Sequence, residues 1–389
     1  MSLEDAHDLL SSARLRVDCG MAKTKTSGTN RNKNNGGSAV VPKYALHLPA
    51  GRRPTINDVA RLANVSKKTV SRVINQLPFV KDQTRSKVNS VIEQVGYAPD
   101  PQARGLAFRR SFLIGLIYDN PNAQYIVNIQ DGALDALRGS GFELVVHPCD
   151  LRSEDFVVGV RRFVERQKLH GVILLPPVSE HTALMKALRE IECQYVGVAA
   201  VRAEGAVNLV LANDRDATAE AANYLESLGH RRIGFIAGPS SYRSAHERQV
   251  GFVNALKKRG VKVPAELIVE GAYSFESGVV CAEMLLARRP RPTAIFASND
   301  EMAAGAYKAA YRIGLRIPED LSVVGFDDSP LASRLWPPLT TIRLPIRDMG
   351  RLAAAKLMPV GPRNNVEVPK VSMVTPHLIV RDSAQPPKG

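Results

Sequence analysis

Thr55-Ile-Asn-Asp-Val-Ala-Arg-Leu-Ala-Asn-Val-Ser-Lys-Lys-Thr-Val-Ser-Arg-Val-Ile-Asn75 is the stretch on which the reading of this chain turns. Ile56, Val59, Ala60 and Ala63 recur at helical spacing, so an apolar stripe runs down one face of a first helix. Thr55 precedes the stripe as an N-cap, and Asp58 falls in the first turn, where a carboxylate complements the helix dipole. Asn64-Val65-Ser66 breaks the pattern. Asn accepts the left-handed backbone of a tight turn, and Ser66 is placed to cap a second helix over about Lys67 to Asn75, with Val70, Val73 and Ile74 inward. A third helix over about Asp82 to Val95 turns Val88, Val91, Ile92 and Val95 inward and ends at Gly96. Two short helices joined by a three-residue turn, then a third, is the helix-turn-helix spacing.

The charge around this stretch points to a polyanion. Residues 1–50 hold seven Lys/Arg against four Asp/Glu, and residues 51–112 hold twelve against four. The remaining 277 residues carry only +3 of the total +14. A basic head on a nearly neutral body is the footprint of nucleic acid. A membrane surface would need an amphipathic helix with an aromatic or Leu-rich face, which the head lacks. In a helix-turn-helix the second helix enters the major groove of double-stranded DNA with its N-terminal half toward the bases. That half carries Lys67, Lys68, Thr69, Ser71 and Arg72, of which Lys67, Lys68 and Arg72 are the candidate base readers. Thr55, Ser66, Asn75 and Thr84 can bond phosphates. The competing reading, a solvated cationic helix face, explains neither the turn spacing nor the charge asymmetry.

Residues 1–52 read as a disordered basic leader, Lys/Thr/Asn/Gly-rich over Thr24 to Ser38, with Met21 a plausible alternative start. The helix-turn-helix domain is placed at 53–96 and a linker at 97–111, where two prolines precede one or two possible helical turns. Apolar Leu106 sits in this basic, polar segment, either packed on the body or used as a wedge between base steps. From Phe112 the chain becomes α/β with parallel sheets. Candidate strands are Phe112–Tyr118, Glu143–His147, Gly171–Leu175, Gln194–Val198, Val207–Leu211, Arg232–Ile236, Ala265–Glu270, Thr293–Ala297 and Leu321–Phe326, with helices between them. The body, 112–383, is too long for one open sheet and divides into two lobes, about 112–212 plus 346–373 and 213–343 plus 374–383; 384–389 form a tail without heptads. No apolar run approaches the roughly 18 residues of a membrane span. With no secretory leader apparent, a cytoplasmic location is expected. Cys19, Cys149, Cys193 and Cys281 stand apart, at no metal-ligand spacing, and no cofactor is expected.

The head resembles the lactose-repressor (LacI/GalR) family over Thr55 to Asn75, then Thr84-Arg and Gly96-Tyr-Ala-Pro. The likeness continues through Leu228-Gly-His-Arg-Arg-Ile-Gly-Phe-Ile-Ala-Gly-Pro, Arg248-Gln-Val-Gly-Phe, Phe296-Ala-Ser-Asn-Asp-Glu-Met-Ala, Val324-Gly-Phe-Asp-Asp and Pro338-Leu-Thr-Thr-Ile. It covers roughly Thr55 to Asp382, and the order of the motifs is more specific than any one of them. The resemblance implies a body like a periplasmic sugar-binding protein with a small-molecule effector, a sugar, between the lobes. It implies a linker that folds on the minor groove, with Ala103 and Leu106 among the DNA-contacting positions and Leu106 the wedge. It also implies a homodimeric repressor reading a near-palindromic operator. Arg248, Asn299 and Asp327 match the family's ligand contacts, and a guanidinium, an amide and a carboxylate suit the hydroxyls of a polyol. Asn122 and Tyr125, after the first strand of the body, are further cleft candidates. Ala199-Ala200 stand where sugar-responsive relatives often carry a polar residue, and Arg202 is the nearest substitute.

Two other classes are weighed against this. An enzyme would show a phosphate loop, a nucleophile elbow, a dinucleotide fingerprint or a ligand-spaced His/Cys/carboxylate cluster, and the chain has none of these. A transport-type binding protein would not carry a DNA-binding head.

Overall fold

The computed structural model describes residues 52, 54–74, 80–97, 111–201, 208–359 and 369–388. Asn75, Ala103, Leu106, Arg202 and Cys19, with the leader and most of the linker, lie outside the described residues. The chain divides into two units, one ending at Tyr97 and one beginning at Ala98.

In the first unit, α1 (Ile56–Leu62), α2 (Lys67–Ile74) and α3 (Asp82–Val95) pack on one another around Val59, Ala60, Ala63, Val70, Val73 and Val88. Asn64 takes φ 50° in the turn between α1 and α2, and Gly96 takes φ 65° after α3. A left-handed residue closes each of these ends, as the sequence leads one to expect.

The second unit holds two six-stranded sheets. The first contains β1 (Leu113–Tyr118), β2 (Glu143–Pro148), β3 (Gly171–Leu174), β4 (Gln194–Ala199), β5 (Leu209–Ala212) and β11 (Val371–Val374), in the order β11-β5-β4-β3-β1-β2, all parallel. Its helices include α4 (Ala123–Leu137), α5 (Phe156–Gln167), α6 (Thr182–Glu190) and α12 (Ile346–Leu357). The second contains β6 (Ile233–Ala237), β7 (Ile268–Glu270), β8 (Ala294–Ala297), β9 (Ser322–Asp327), β10 (Thr340–Arg343) and β12 (His377–Ile379), in the order β12-β10-β9-β8-β6-β7, parallel except for β12. Its helices are α7 (Asp214–Ser227), α8 (Arg243–Lys258), α9 (Phe275–Leu286), α10 (Asp300–Arg312) and the short α11 (Pro330–Arg334). The buried strands carry continuous apolar runs because helices cover both faces.

The chain passes between the sheets three times, after β5, after β10 and after β11. Gly132 of α4 faces the backbone of Arg347, and Gly350 of α12 faces that of Ile129. A side chain at either position would force α4 and α12 apart.

The strand expected over Ala265–Glu270 is only half a strand. Pro264 precedes a 3₁₀ turn over Ala265–Leu267, and only Ile268–Glu270 pairs with β6. Residues past Asp382 are tied to the second sheet: Ser383 Oγ donates to the Val323 carbonyl (2.6 Å), and the Gln385 carbonyl lies 3.0 Å from His230 Nε2.

Candidate functional site

In the first unit, two cap networks set the geometry. The Asp58 carboxylate accepts from the Thr55 N–H (2.9 Å), the Thr55 hydroxyl (2.7 Å) and Arg52 (2.7 Å). These hydrogen bonds hold the carboxyl down at about 2. Ser66 caps α2: its hydroxyl oxygen accepts the Thr69 N–H at 3.0 Å and lies 2.8 Å from the Thr69 hydroxyl. The cap fixes the end of α2 that carries the candidate readers. Lys67 and Lys68 project into solvent there, while Thr69, Ser71 and Arg72 are half-buried. Thr84 lies in the first turn of α3, also half-buried.

In the second unit, a cleft between the two sheets is lined from both sides. Asn120, Asn122, Tyr125, Ala199 and Ala200 come from the first lobe; Asp214, Tyr242, Arg248, Tyr273, Asn299 and Asp327 come from the second. All five positions singled out in the sequence are therefore brought together. Asn122 caps α4 by accepting the Tyr125 N–H (3.1 Å) and reaches across with Nδ2 to Asp327 Oδ2 (3.4 Å). Two further links join the lobes: the Tyr242 hydroxyl donates to the Asp119 carbonyl (3.1 Å), and the Arg243 N–H donates to Glu180 (3.4 Å).

Arg248 is buried and fully engaged on one side. Its Nε donates to Asp214 (2.8 Å), its Nη1 donates to the Ser298 carbonyl (2.5 Å), and its guanidinium lies 3.5 Å from the centre of the Phe326 ring. Asn299 caps α10 by accepting the Met302 N–H (2.9 Å), and its Nδ2 donates to the Tyr273 carbonyl (2.9 Å). Its amide therefore shapes the cleft wall. Asp327 ends β9 at φ 114°, a strained backbone for an L residue, and Asp328 follows at φ 54°. Asp328 is held by Arg343 (2.6 Å) and Arg381 (2.5 Å), and Asp300 accepts from the Ser329 N–H (2.7 Å) and the Thr341 hydroxyl (2.6 Å). These bonds over-determine the strained turn and aim Asp327 into the cleft. Burial raises the carboxyls of Asp214 and Asp327, against the pull of Arg248, and pushes Asp300 up to about 7.

Asp214, Tyr242 and Tyr273 were not singled out in the sequence. No motif marks Asp214 there, and nothing local places either tyrosine in the cleft. Oδ1 of Asp214 is buried without a hydrogen-bond partner.

A helix-turn-helix unit and a two-lobed unit with a polar interlobe cleft together define a ligand-responsive, DNA-binding transcription regulator. Residues 55–100 match the model of the bacterial regulatory proteins of the lacI family, and residues 222–384 match that of the periplasmic binding protein-like domain. The probable HTH-type transcriptional repressor ExuR of Bacillus subtilis (strain 168) is 32% identical over 85% of this chain and 98% of its own length. Among solved structures, the transcriptional regulator CelR in complex with cellobiose superposes with a TM-score of 0.63 at 32% identity, covering 85% of this chain and 100% of that one. The Lac repressor dimer bound to operator and the anti-inducer ONPF superposes with a TM-score of 0.69 at 29% identity, covering 86% and 100%. The chain belongs to the lacI family.

Proposed function

We propose that this protein is a homodimeric repressor that reads a near-palindromic operator through α2 and releases or grips it according to a sugar bound in the interlobe cleft. Lys67, Lys68 and Arg72 read base edges, with Thr69 and Ser71 beside them, while Thr55, Ser66, Asn75 and Thr84 hold phosphates. Ala103 and Leu106 act from the linker in the minor groove. Asn122, Tyr125, Arg248, Asn299 and Asp327 form the effector site, joined by Asp214, Tyr242 and Tyr273. The work is divided among a leader (1–52), a head (53–96), a linker (97–111), a body (112–383) and a short tail, in the cytoplasm where the DNA lies.

The observation that carries the sensing role is the unpartnered Asp214 Oδ1 inside a cleft bridged by hydrogen bonds from both lobes. A buried carboxylate oxygen without a donor costs free energy that a ligand hydroxyl recovers. A ligand that bonds both lobes favours one closure angle and so biases the linker segments of the dimer, a coupling between two sites. Dimerisation is supported by apolar side chains left in water: Val280 and Met284 one turn apart on α9, Tyr311 at 84% exposure and Trp336 at 90%.

Selection of duplexes from a random library by the full chain tests this reading. It should recover a two-fold symmetric site whose affinity changes with at least one sugar. A chain beginning at Phe112 should keep the sugar and lose the site. Recovery of asymmetric sites, or equal binding by the truncated chain, would overturn it.

A further inference from the structure

We propose that the cleft is a charge filter: it accepts an uncharged polyhydroxy ligand and rejects the sugar acid or sugar phosphate of the same skeleton. The inference rests on the sensing role proposed above and narrows the class of effector.

Among the described residues that line the cleft, Arg248 is the only cation, and it stands against two carboxylates, Asp214 and Asp327. Its guanidinium is already committed to Asp214 Oδ2, the Ser298 carbonyl and the Phe326 ring. The lining thus sets two carboxyl groups against one guanidinium, and leaves no uncommitted cation for a ligand anion. The first lobe adds no cation: it offers asparagine amides, a tyrosine and the Ala199-Ala200 pair.

Anion sites are often built instead from helix N-termini. Here two helix starts of the second lobe close that route. α7 and α10 both start with an Asn-Asp pair, Asn213-Asp214 and Asn299-Asp300. In each, the Asn side chain accepts an N–H of its own first turn, and acids occupy that turn. At these two ends the place of a carboxylate or phosphate is already taken by acidic side chains.

What remains suits hydroxyls. Asp214 Oδ1 lacks a donor, Asp327 receives only one long bond from Asn122, and the rings of Tyr125, Tyr242 and Tyr273 supply amphipathic walls. The open acceptor at Asp214 Oδ1 and the open hydroxyl of Tyr273 both suit the O–H groups of a polyol, which donate and accept. Burial and neighbouring acids already raise the Asp327 carboxyl. A ligand anion at contact distance would add another like charge. At an effective dielectric near 20 the repulsion at ~4 Å, partly offset by Arg248, corresponds to a weakening on the order of a hundredfold.

The test uses the full chain and matched ligand sets at neutral pH: glucose, glucuronate and glucose 6-phosphate; galactose, galacturonate and galactose 6-phosphate; ribose and ribose 5-phosphate; and cellobiose. Thermal shift and release of a fluorescent duplex obtained by selection are read in parallel. At least one neutral member should raise Tm and change duplex binding, with its acid and phosphate requiring at least a tenfold higher concentration. An acid or phosphate that acts at the same or lower concentration than its parent overturns the filter and leaves the sensing role standing. If no member of any set shifts the melt or the duplex, sugar sensing and the filter fall together.

Discussion

Replacing Arg248 by Met probes the centre of the cleft most directly. The Arg248 and Asp214 side chains are 8% and 2% exposed and 2.8 Å apart, so the pair is shielded from solvent. Removing the guanidinium leaves the Asp214 carboxylate and the Ser298 carbonyl buried without their donor and strips the Phe326 ring of its cation. Breaking a buried pair from one side costs about 3–5 kcal/mol, and the lost ring contact contributes up to about 2 more, part of which the apolar Met side chain offsets. A net loss of about 4 kcal/mol is expected from urea denaturation followed by far-UV circular dichroism. Most of that loss belongs to the stranded carboxylate. Adding Asp214→Asn to Arg248→Met should therefore recover more than half of it. The pH dependence has a definite sign: without Arg248, nothing opposes the upward pull of burial on Asp214. The variant should then lose less stability at pH 5, where protonation relieves the charge, than at pH 8. A loss below about 1 kcal/mol, or no recovery in the double variant, would refute a stability role for the pair.

Four further outcomes are expected. Ser66→Ala removes the α2 cap and should cost about 1 kcal/mol of head stability, seen in amide exchange over α2. Lys68→Ala and Arg72→Ala should each cost about 1–3 kcal/mol of operator binding and relax the preferred sequence at the base each side chain reads, measured by duplex titration. Gly350→Ala drives a methyl into the Ile129 backbone and should cost about 1–3 kcal/mol, whereas Gly159→Ala, in an open part of α5, should gain about 0.5–1 kcal/mol. Asp300 is raised to about 7, so the folded state holds its proton where the unfolded chain does not. The stability from this group is present below about pH 4 and is lost as pH rises to about 7; Asp300→Asn should flatten that decline in thermal melts between pH 5 and 8.

Much of the head was legible in the sequence because its contacts are local. Spacings of three and four residues placed Val59, Ala63, Val70, Val73 and Val88 on inner faces, and Asn64, Ser66 and Gly96 marked turns and caps by their own side chains or lack of one. The α/β class of the body followed from apolar runs. The resemblance to the family then picked out Arg248, Asn299 and Asp327, which converge on one cleft with Asn122 and Tyr125, the candidates after the first strand of the body. Composition and spacing alone would have read Arg248 as an exposed helix cation and Asp327-Asp328 as a surface turn.

What the sequence could not express was which groups are already spent. β10 and β12 are too short to announce themselves, and β12 exists because its backbone finds β10 antiparallel. Asp214 carries no motif until the fold buries it against Arg248, and Tyr242 reaches the first lobe's Asp119 only because the chain crosses between the sheets. The sequence by itself determined the helix-turn-helix and the alternating body, since these rest on periodicity and turn chemistry within a few residues. Only the tertiary structure decided the balance of charge in the cleft, because that balance depends on distances between residues as much as 205 apart in the chain, as for Asn122 and Asp327.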